Sequence, residues 1–395
     1  MIRSDPLTSE LGELGKATPE SDRLGLYVHV PFCAQRCDFC SFNTAPLEDG
    51  RGIARYRAAV MAELGLLARA RWASRVSLAT VFLGGGTPSV LSVGDLGAIL
   101  DAVRDRFTVG PGAEVTVECN PESVDRAKLE GYRAVGATRI SLGVQTLDDA
   151  ILPLLGRLHS AAGARAAFDA ARAAGFTDVS VDLMYGLPGL DAEGWTRTID
   201  AVLDWEPDHL SAYGLTLDAG SVWGARGVAG LPPEETVVGQ YWRLAGAAAA
   251  RGYEHYEISN YARPGHRSRH NQIYWGRGEY LAAGPGACGF VGSLRYGDAR
   301  AVARYCRLVE EGALPIEEHE WLTPDQAHAE RLFLGLRTAE GVPAGWLETR
   351  IEESPSLQPR VAAWREAGLL VEDAGRVRLT EAGFLVSDTL FVDVL

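Results

Sequence analysis

Short apolar runs alternate with amphipathic or alanine-rich stretches over the first half of the chain. The runs favour buried strands, because they are short and rich in β-branched residues, and the longer stretches between them favour helices. The predicted strands lie at residues 26–30, 79–83, 114–118, 139–144, 179–183 and 209–215. The predicted helices lie at residues 53–70, 95–107, 125–135, 164–174 and 193–205. Strands that alternate with helices predict βαβ units around a parallel sheet.

A polar or glycine-rich residue stands at the end of each predicted strand. A cysteine-rich loop follows the first strand, residues 84–88 (Gly-Gly-Gly-Thr-Pro) follow the second, and Glu118, Gln145, Asp182 and Thr216 stand at the others. A doubly wound sheet would fit the number of units equally well. In (β/α) barrels, however, chemistry collects at the carboxyl ends of the strands. We therefore predict an α/β fold with a partial (β/α)6 TIM-like barrel, open on one side.

The alternation changes after about residue 217. Residues 234–251 predict a long helix, 253–261 a strand, and 266–280 an irregular segment. Near the C-terminus two helices precede a β-hairpin, with Asp373 and Gly375 in its turn, and a further helix follows. This order predicts a smaller winged-helix-like α+β lobe. The predicted domains are a flexible N-terminal extension (1–23), the barrel (24–250), a connecting region (251–320) and the winged-helix-like domain (321–395).

The composition is that of an ordinary globular protein with an acidic excess. The chain has 395 residues, 47% of them hydrophobic, and a formal charge of −14. This charge disfavours nucleic-acid binding, which depends on Lys and Arg neutralising phosphates. Residues 1–23 resemble neither a signal peptide nor an anchor, and no later stretch is long enough to span a bilayer. We therefore expect a cytoplasmic location.

Three of the six cysteines lie close together directly after the first predicted strand. Cys33, Cys37 and Cys40 have the spacing C-x3-C-x2-C, which lets one loop bind three irons of a [4Fe–4S] cube. The fourth iron then has no protein thiolate. A zinc site is the alternative, but structural zinc usually takes four protein ligands and no second C-x2-C pair occurs. The remaining cysteines, which we predict to be simple buried thiols, are Cys119, Cys288 and Cys306.

The cysteine loop, with Phe39 before its last cysteine, resembles the signature of the radical S-adenosylmethionine superfamily. The resemblance implies that the open iron binds the methionine part of S-adenosylmethionine and that the loop at residues 84–86 receives its amino group. Glu118 is placed to accept hydrogen bonds from ribose hydroxyls, and Arg157 can clamp a carboxylate. Each side chain could instead be an ordinary structural hydrogen-bonding group. The implied cofactor contacts are Tyr27, Phe39, Gly85, Gly86, Thr87, Glu118, Gln145, Arg157, Asp182 and Thr216.

Further motifs narrow the resemblance to the coproporphyrinogen dehydrogenase-like group, over nearly the whole chain from Leu24 onward. They are residues 27–33, 84–88, 141–145 and 184–188, together with the C-terminal lobe. Two kinds of protein share this pattern. One is the oxygen-independent coproporphyrinogen III dehydrogenase, which decarboxylates two propionates, and the other is the HemW-type haem chaperone.

Three features favour the chaperone. The dehydrogenase has a Cys-Gly-Cys ending to its cluster motif where this chain has Cys40-Ser41-Phe42, and it has a longer N-terminal segment. Residues 270–275 (His-Asn-Gln-Ile-Tyr-Trp) also match the H-N-x-x-Y-W motif typical of HemW-like proteins. The resemblance therefore implies a protein that binds haem and transfers it to acceptor proteins, with a [4Fe–4S] cluster and S-adenosylmethionine as cofactors. The dehydrogenase remains the alternative.

The motif also suits haem chemically. Histidine is an axial haem ligand, so His270 is the predicted ligand, and Trp275 offers a flat apolar face. Arg267 and Arg269 could meet the haem propionates. Alternatively, His270 is a histidine with satisfied hydrogen bonds and Trp275 anchors the core. Cys288 stands where the family more often has histidine, and a thiolate also ligates haem iron.

Two further expectations concern partners. A homodimer is expected only from the family resemblance. A DNA-binding regulator, with the winged lobe as reader and the cluster as sensor, is a third hypothesis and predicts salt-dependent DNA affinity. The many acidic residues in the helices of the lobe disfavour it.

Overall fold

The computed structural model describes residues 11–47 and 50–394. The first eight strands in chain order are β1 (Arg23–Val30), β2 (Phe32–Cys33), β3 (Ala45–Pro46), β4 (Ser77–Gly85), β5 (Thr108–Cys119), β6 (Arg139–Gln145), β7 (Val179–Tyr185) and β8 (His209–Gly214). The short strands β2 and β3 pair with each other. The other six lie side by side in the order β1-β4-β5-β6-β7-β8, and every neighbouring pair is parallel. The partial (β/α)6 barrel is therefore confirmed.

Helices connect these strands. They are α1 (Gly50–Leu67), α2 (Val93–Arg106), α3 (Arg126–Ala134), α4 (Ala161–Ala173), α5 (Ala192–Asp204), α6 (Val222–Arg226) and α7 (Glu234–Ala250). Side chains cap several N-termini, as at α2, where Ser92 and Asp95 form a reciprocal capping box. Within the described residues, no helix has the length and hydropathy that crossing a bilayer would require.

Polar residues alternate with buried apolar ones along β5 to β8. Because successive side chains of a strand point to opposite faces, one face of each strand is polar. Those polar residues line a single cavity inside the barrel, and they are Thr116, Glu118, Arg139, Ser141, Ser180, Asp182, His209 and Ser211. The intervening apolar residues, such as Val117, Val181 and Leu210, are fully buried in the outer core. The barrel interior is thus a polar chamber, which suits a ligand site.

Further strands extend the same sheet at both edges. They are β9 (Glu254–Glu257), β10 (Asn260–Ala262), β11 (Tyr280–Ala283), β12 (Cys288–Val291), β13 (Leu294–Asp298) and β14 (Ile316–Trp321). The first two follow β8, and β11 pairs with β1 and leads to β12, β13 and β14. The predicted connecting region therefore belongs to the barrel sheet and is not a separate segment.

Two predictions for this region are corrected. The strand expected at 253–261 is a pair, β9 and β10, joined by a turn. The segment expected to be irregular at 266–280 contains a helix, α8 (Arg269–Trp275). Ser268 caps this helix by accepting a hydrogen bond from the amide of Asn271, at 3.3 Å. An N-cap serine next to a short polar helix is the signal that the sequence offered.

The C-terminal lobe follows, together with the preceding helix α9 (Val302–Glu310). Its elements are α10 (Pro324–Leu336), β15 (Val342–Pro343), α11 (Ala344–Glu353), α12 (Leu357–Glu366), β16 (Leu370–Asp373), β17 (Arg376–Leu379), α13 (Glu381–Leu385) and α14 (Ser387–Val394). The lobe has an apolar core of its own. Ala374 and Gly375 form the hairpin turn with φ angles of 49° and 74°, as a type I′ turn requires. The winged-helix-like lobe is thereby confirmed.

The N-terminal segment differs from the expectation of flexibility over residues 1–23. Gly12–Lys16 forms a 3-10 helix, and Leu11 and Leu14 are buried against the main core. The indole of Trp321 also donates a hydrogen bond to Glu13, at 3.0 Å. The segment is therefore packed from residue 11, while residues 1–10 lie outside the described residues. The i, i+3 spacing of the two leucines was the available signal.

Candidate functional site

The three clustered cysteines lie on one loop at the carboxyl end of β1. The loop is closed at its base, where the amide of Ala45 donates to the carbonyl of Pro31 at 2.7 Å. Cys33, Cys37 and Cys40 are half-buried free thiols that line the same pocket. The short β2–β3 pair therefore holds three thiols around one space.

Neighbouring side chains donate hydrogen bonds to two of these sulfurs. The hydroxyl of Thr87 lies 3.5 Å from Sγ of Cys33, and Nη1 of Arg157 lies 3.6 Å from Sγ of Cys37. Asn120 connects the two donors, since it accepts from Arg157 at 2.8 Å and donates to Thr87 at 3.4 Å. Donors that point at sulfur favour the thiolate, which is the metal-binding form.

The arrangement of the thiols fits a cluster. Within the described residues, only Asp178, Asp208 and His266 form a set of three ligand atoms within 4.8 Å of one another, so the three cysteine sulfurs do not all lie within that distance. A tetrahedral zinc ion with sulfur ligands at about 2.3 Å would hold the sulfurs about 3.8 Å apart. A [4Fe–4S] cube distributes them over separate irons. Burial raises the pKa of the Cys33 and Cys40 thiols, so metal loading must displace protons.

The glycine loop after β4 packs directly against the cysteine loop. Gly85 has a φ of +113°, and a Cβ there would lie 2.5 Å from the ring of His29. A Cβ on Gly86 would lie 2.7 Å from the carbonyl oxygen of Pro31. Both positions therefore require glycine, and the close approach leaves the loop backbone open to a ligand.

Two carboxyl groups face the pocket, Glu118 from the end of β5 and Asp182 from the middle of β7. Glu118 accepts a hydrogen bond from the amide of Gly85 at 3.1 Å, and Asp182 accepts one from the hydroxyl of Ser141 at 2.9 Å. Burial and the charge of Asp182 raise the pKa of Glu118 to about 8, and burial raises the pKa of Asp182 to about 6. An approaching cation would favour ionisation of both groups.

Gln145 ends β6 in an unusual conformation. Its φ of 68° lies in the left-handed region, and the pairing register with β7 shifts between Gly143 and Gln145. A Cβ on Gly143 would lie 3.1 Å from Nε2 of Gln145 and 3.2 Å from Arg157. The bulge and the strained backbone turn the glutamine toward the pocket, and such strain is common at functional sites.

Most of the predicted cofactor contacts meet in one cavity of about 260 Å³, which we call the cluster pocket. It is lined by Cys33, Cys37, Phe39, Cys40, Gly85, Gly86, Thr87, Glu118, Gln145, Arg157 and Asp182, among others. Thr216 is exposed beyond the end of β8 and lines neither this pocket nor the cavity beside it. Met184 and Tyr213 also line the pocket, although the sequence interpretation missed them. Their positions at the ends of β7 and β8 were the available signal.

A larger cavity of about 520 Å³, which we call the barrel cavity, lies beside the cluster pocket. The two share lining residues, including Phe42, Glu118 and Tyr213. The polar faces of β5 to β8 form one wall of the barrel cavity. Aromatic residues also line it, and they include Tyr27, Phe82, Tyr274 and Tyr280. The molecule therefore offers a second ligand chamber next to its thiol site.

Comparisons with known proteins agree with this arrangement. The model of the Radical SAM superfamily matches residues 27–202, and that of the HemN C-terminal domain matches residues 322–386. The chain is 37% identical over 381 residues to the Heme chaperone HemW of Mycobacterium tuberculosis, covering 95% of this chain and 96% of that protein. The chain belongs to the HemW family.

Other relatives and a solved structure extend the comparison. The Heme chaperone HemW of Bacillus subtilis is 32% identical over 375 residues, covering 92% of this HemW-family chain and 97% of that protein. Radical S-adenosyl methionine domain-containing protein 1, mitochondrial, from Bos taurus is 33% identical over 406 residues, covering 95% and 88%. Coproporphyrinogen III oxidase (HemN) from Escherichia coli has a TM-score of 0.85 with 22% identity, covering 97% and 92%, and shares the fold.

The histidine of the HemW motif lies deep in the barrel cavity. His270 is 1% exposed, and its ring nitrogens are hydrogen bonded to the hydroxyls of Thr80 and Tyr274, each at 2.7 Å. Its ring stacks on Phe82 at 5.0 Å, and burial lowers its pKa to about 3. Both ring nitrogens are therefore engaged, as expected of a buried histidine with satisfied hydrogen bonds. The axial role of His270 stays a prediction, and it requires one of these hydrogen bonds to break.

The other charged and aromatic groups of the HemW motif are also engaged. Arg267 pairs with Glu254 at 3.1 Å, and Arg269 donates to backbone carbonyls. Trp275 is half-buried beneath the guanidinium of Arg337, at 4.7 Å. Neither Arg267 nor Arg269 lines the barrel cavity, and Arg267 instead lines a separate pocket together with Trp275.

The cysteines outside the cluster loop occupy two kinds of position. Cys119 and Cys306 are buried, as predicted. Cys288, in contrast, is exposed as the first residue of β12 and lines the barrel cavity. The prediction of a simple buried thiol at this position is therefore wrong.

Proposed function

We propose that this chain is a haem chaperone, which binds haem and transfers it to acceptor proteins. The observation that carries the proposal is the 37% identity to the Heme chaperone HemW of Mycobacterium tuberculosis over 95% of the chain. The ending Cys40-Ser41-Phe42 supports it, because the dehydrogenase type is expected to have a further cysteine there.

In this proposal, Cys33, Cys37 and Cys40 hold three irons of a [4Fe–4S] cluster beside an S-adenosylmethionine site. When bound, these two groups supply one-electron chemistry. The hydrogen bonds from Thr87 and Arg157 stabilise the thiolates. The proposed S-adenosylmethionine contacts are Tyr27, Phe39, Gly85, Gly86, Thr87, Glu118, Gln145, Arg157 and Asp182, while Thr216 is a weaker candidate because it is exposed beyond β8.

The barrel cavity supports haem as the cargo. Its volume of about 520 Å³ falls within the range of about 300–1,000 Å³ that is usual for small-molecule sites. Aromatic walls suit the faces of a porphyrin, and the polar strand faces suit its carboxylates. Haem in this cavity would lie next to the cluster pocket. The acceptor is a protein whose identity is open, and a cytoplasmic location and a homodimer remain predictions.

The rival function is oxygen-independent coproporphyrinogen III dehydrogenase, since a HemN structure shares the fold. The test is to incubate the reconstituted full-length protein with S-adenosylmethionine, a reductant and coproporphyrinogen III. We expect the substrate to remain, with no protoporphyrinogen IX formed. Accumulation of protoporphyrinogen IX would overturn the chaperone proposal.

A DNA-binding role for the winged lobe is disfavoured by charge. Residues 321–395 contain twelve acidic and seven basic residues, so the lobe would repel phosphates. We expect titration with duplex DNA at low salt to show no saturable binding. Salt-dependent saturable binding would restore the regulator hypothesis.

A further inference from the structure

The barrel cavity is lined by histidine, tyrosine and cysteine side chains, which are three of the protein groups that commonly ligate haem iron. Histidine, tyrosine and cysteine thiolate are all established axial ligands. The candidates that line the cavity are His29, His209, His270, Tyr27, Tyr213, Tyr274, Tyr280 and Cys288. Their existing hydrogen bonds decide which of them can accept an iron.

The three histidines have no ring nitrogen to spare. His29 is bonded through Nδ1 to the hydroxyl of Tyr27 at 2.9 Å and through Nε2 to the carbonyl of Asn43 at 2.8 Å. His209 is bonded through Nδ1 to Ser180 and through Nε2 to Tyr256, each at 2.8 Å. The ring nitrogens of His270 are likewise both engaged. Ligation by any of these histidines would leave a buried partner without its hydrogen bond, which costs about 1–3 kcal/mol.

The tyrosines are also poor ligands in this setting. The hydroxyls of Tyr27 and Tyr274 are bonded to histidines, at 2.9 and 2.7 Å. Burial raises the pKa of Tyr280 to about 12, and burial of the hydroxyl together with the charge of Asp182 raises the pKa of Tyr213, although the residue as a whole is 44% exposed. Haem iron binds tyrosine as the phenolate, so these shifts oppose ligation at neutral pH.

Cys288 stands apart from these groups. It is exposed at the start of β12. Its sulfur has no hydrogen-bond partner among the residues that the structure describes. Its partner across the ladder is Gly297 on β13, where a Cβ would lie 3.6 Å from the sulfur, so that flank carries no side chain. Partial burial raises the pKa of the Cys288 thiol as well, so accessibility and the lack of a hydrogen-bond partner, and not acidity, distinguish Cys288 among the candidate ligands.

Two buried polar groups indicate what else the ligand must contain. Thr116 is 1% exposed and Arg139 is 2% exposed, and both line the cavity. The hydroxyl of Thr116 and Nη2 of Arg139 have no hydrogen-bond partner among the described residues, whereas Nη1 of Arg139 pairs with Asp178 and donates to the carbonyl of His266. Buried polar groups are normally paired, and carboxylate oxygens are the strongest partners for a guanidinium. The cavity is therefore lined by a thiol suited to an iron and by unpaired donor atoms suited to a carboxylate.

We propose that haem binds in the barrel cavity with Cys288 as the axial ligand of its iron and its propionates directed toward Arg139 and Thr116. This proposal rests on the proposed haem-binding function and specifies its site. When ferric haem binds, the thiol of Cys288 releases its proton to solvent and an Fe–S bond forms. The water or chloride that occupied that axial position leaves, and no electron is transferred.

The test is a titration of ferric haem into the cluster-reconstituted full-length protein, read out by the Soret band and by electron paramagnetic resonance. The oxidised [4Fe–4S] cluster is diamagnetic, so the resonance reports the haem alone. We expect the spectrum of thiolate-ligated ferric haem in the wild type and in Cys306→Ala, which removes a buried thiol that does not line the cavity. Cys288→Ala should lose that spectrum and bind haem at least tenfold more weakly.

Two further variants keep the proposal falsifiable. Cys288→His should restore axial ligation and give the spectrum of histidine-ligated ferric haem. Thr116→Val removes the unpaired hydroxyl at nearly constant volume, and it should reduce the preference for haem over haem dimethyl ester, which lacks the carboxylates. A Cys288→Ala complex with an unchanged spectrum would overturn the axial assignment while leaving haem binding intact. A wild type that binds no haem would instead refute the proposed function itself.

Discussion

At the scale of single residues, the thiol site is organised by hydrogen bonds that exist before any cofactor binds. Thr87 and Arg157 each donate to a cysteine sulfur, and Asn120 bridges the two donors. Side chains held in this way lose little conformational freedom when a cofactor binds. The free-energy cost of ordering them is therefore small. The loop is therefore prepared to receive a cluster.

Cys37→Ala tests the cluster assignment. The variant should lose most of the iron that the wild type retains after anaerobic reconstitution, about four irons per chain for one cube. Iron and sulfide analysis measures this loss. The matched control is Cys306→Ala, which removes a buried thiol outside the pocket and should retain the wild-type iron content. Full iron content in Cys37→Ala would refute the ligand role.

Glu118→Gln tests the environment of the pocket carboxylate. The folded-state pKa of Glu118 is raised from 4.5 to about 8, so its contribution to stability is complete below about pH 4.5 and is lost as pH rises through 8. The slope from one group is at most about 1.4 kcal/mol per pH unit. Urea unfolding of the cluster-free protein should show the wild type losing stability relative to Glu118→Gln between pH 5 and 8. A constant difference across that range would contradict the assigned pKa.

The sequence predicted the residues of the cluster pocket better than those of the proposed haem site. Cysteine spacing and strand ends are local signals, and they identified Cys33, Glu118 and Asp182 correctly as neighbours. The hydrogen bonds that engage His270 come from Thr80, far away in the chain, and cannot be read from a motif. The accessibility of Cys288 likewise depends on its partner across β13, which is a tertiary feature.

At the scale of elements, two short pieces of backbone fix the thiol loop. The β2–β3 pair closes its base, and the glycine loop after β4 packs against it. The amide of Gly86 donates to the carbonyl of Val30 at 2.7 Å, which joins the two loops at the end of β1. The position of the cysteines therefore depends on a backbone contact that admits no side chain.

Gly86→Ala tests that contact. A Cβ there would lie 2.7 Å from the Pro31 carbonyl, so the loops must separate at a cost of about 1–3 kcal/mol, with reduced iron retention. Gly246→Ala is the control, because a Cβ at this exposed position in α7 meets no atom within 4 Å. The substitution also replaces a glycine in the interior of a helix. The control should gain about 0.5–1 kcal/mol of unfolding free energy. Equal iron retention and stability in both variants would contradict the account.

Helix α8 shows why local patterns failed after residue 250. Glu114 accepts hydrogen bonds from the amides of Arg269 and His270, each at 3.0 Å, at the start of this helix. The carboxylate of Glu114, on β5 and more than 150 residues earlier in the chain, therefore stabilises the N-terminus of the helix. This end of the helix carries the positive end of its dipole, which favours a negative charge. A seven-residue helix is marginal alone, so this tertiary contact adds to the local Ser268 cap in stabilising it.

At the scale of the whole molecule, one sheet unites the barrel with its extension, and the C-terminal lobe packs against both. The six parallel strands followed from alternation in the sequence. The pairing of β11 with β1 did not, because it joins segments about 250 residues apart. The lobe contacts the sheet through Glu330 on α10, which pairs with Arg277 and Arg295.

Glu330→Gln tests this attachment of the lobe. Arg277 is only 6% exposed at its side chain, so loss of its partner leaves a buried unpaired charge and should cost about 3–5 kcal/mol of unfolding free energy. Glu320→Gln removes the exposed partner of Arg295 and should cost no more than about 1 kcal/mol. Denaturant unfolding of the two variants measures the difference. Equal effects would show that Glu330 does not anchor the lobe.

We propose that this HemW-family chain carries haem, and an equilibrium haem titration of the reconstituted full-length protein tests this claim. We expect saturation at an equimolar amount of haem, with a Kd of about 1 μM or tighter, which corresponds to about −8 kcal/mol. The absorbance change should stop at equivalence. A change that rises linearly with added haem, without saturation, would contradict the claim.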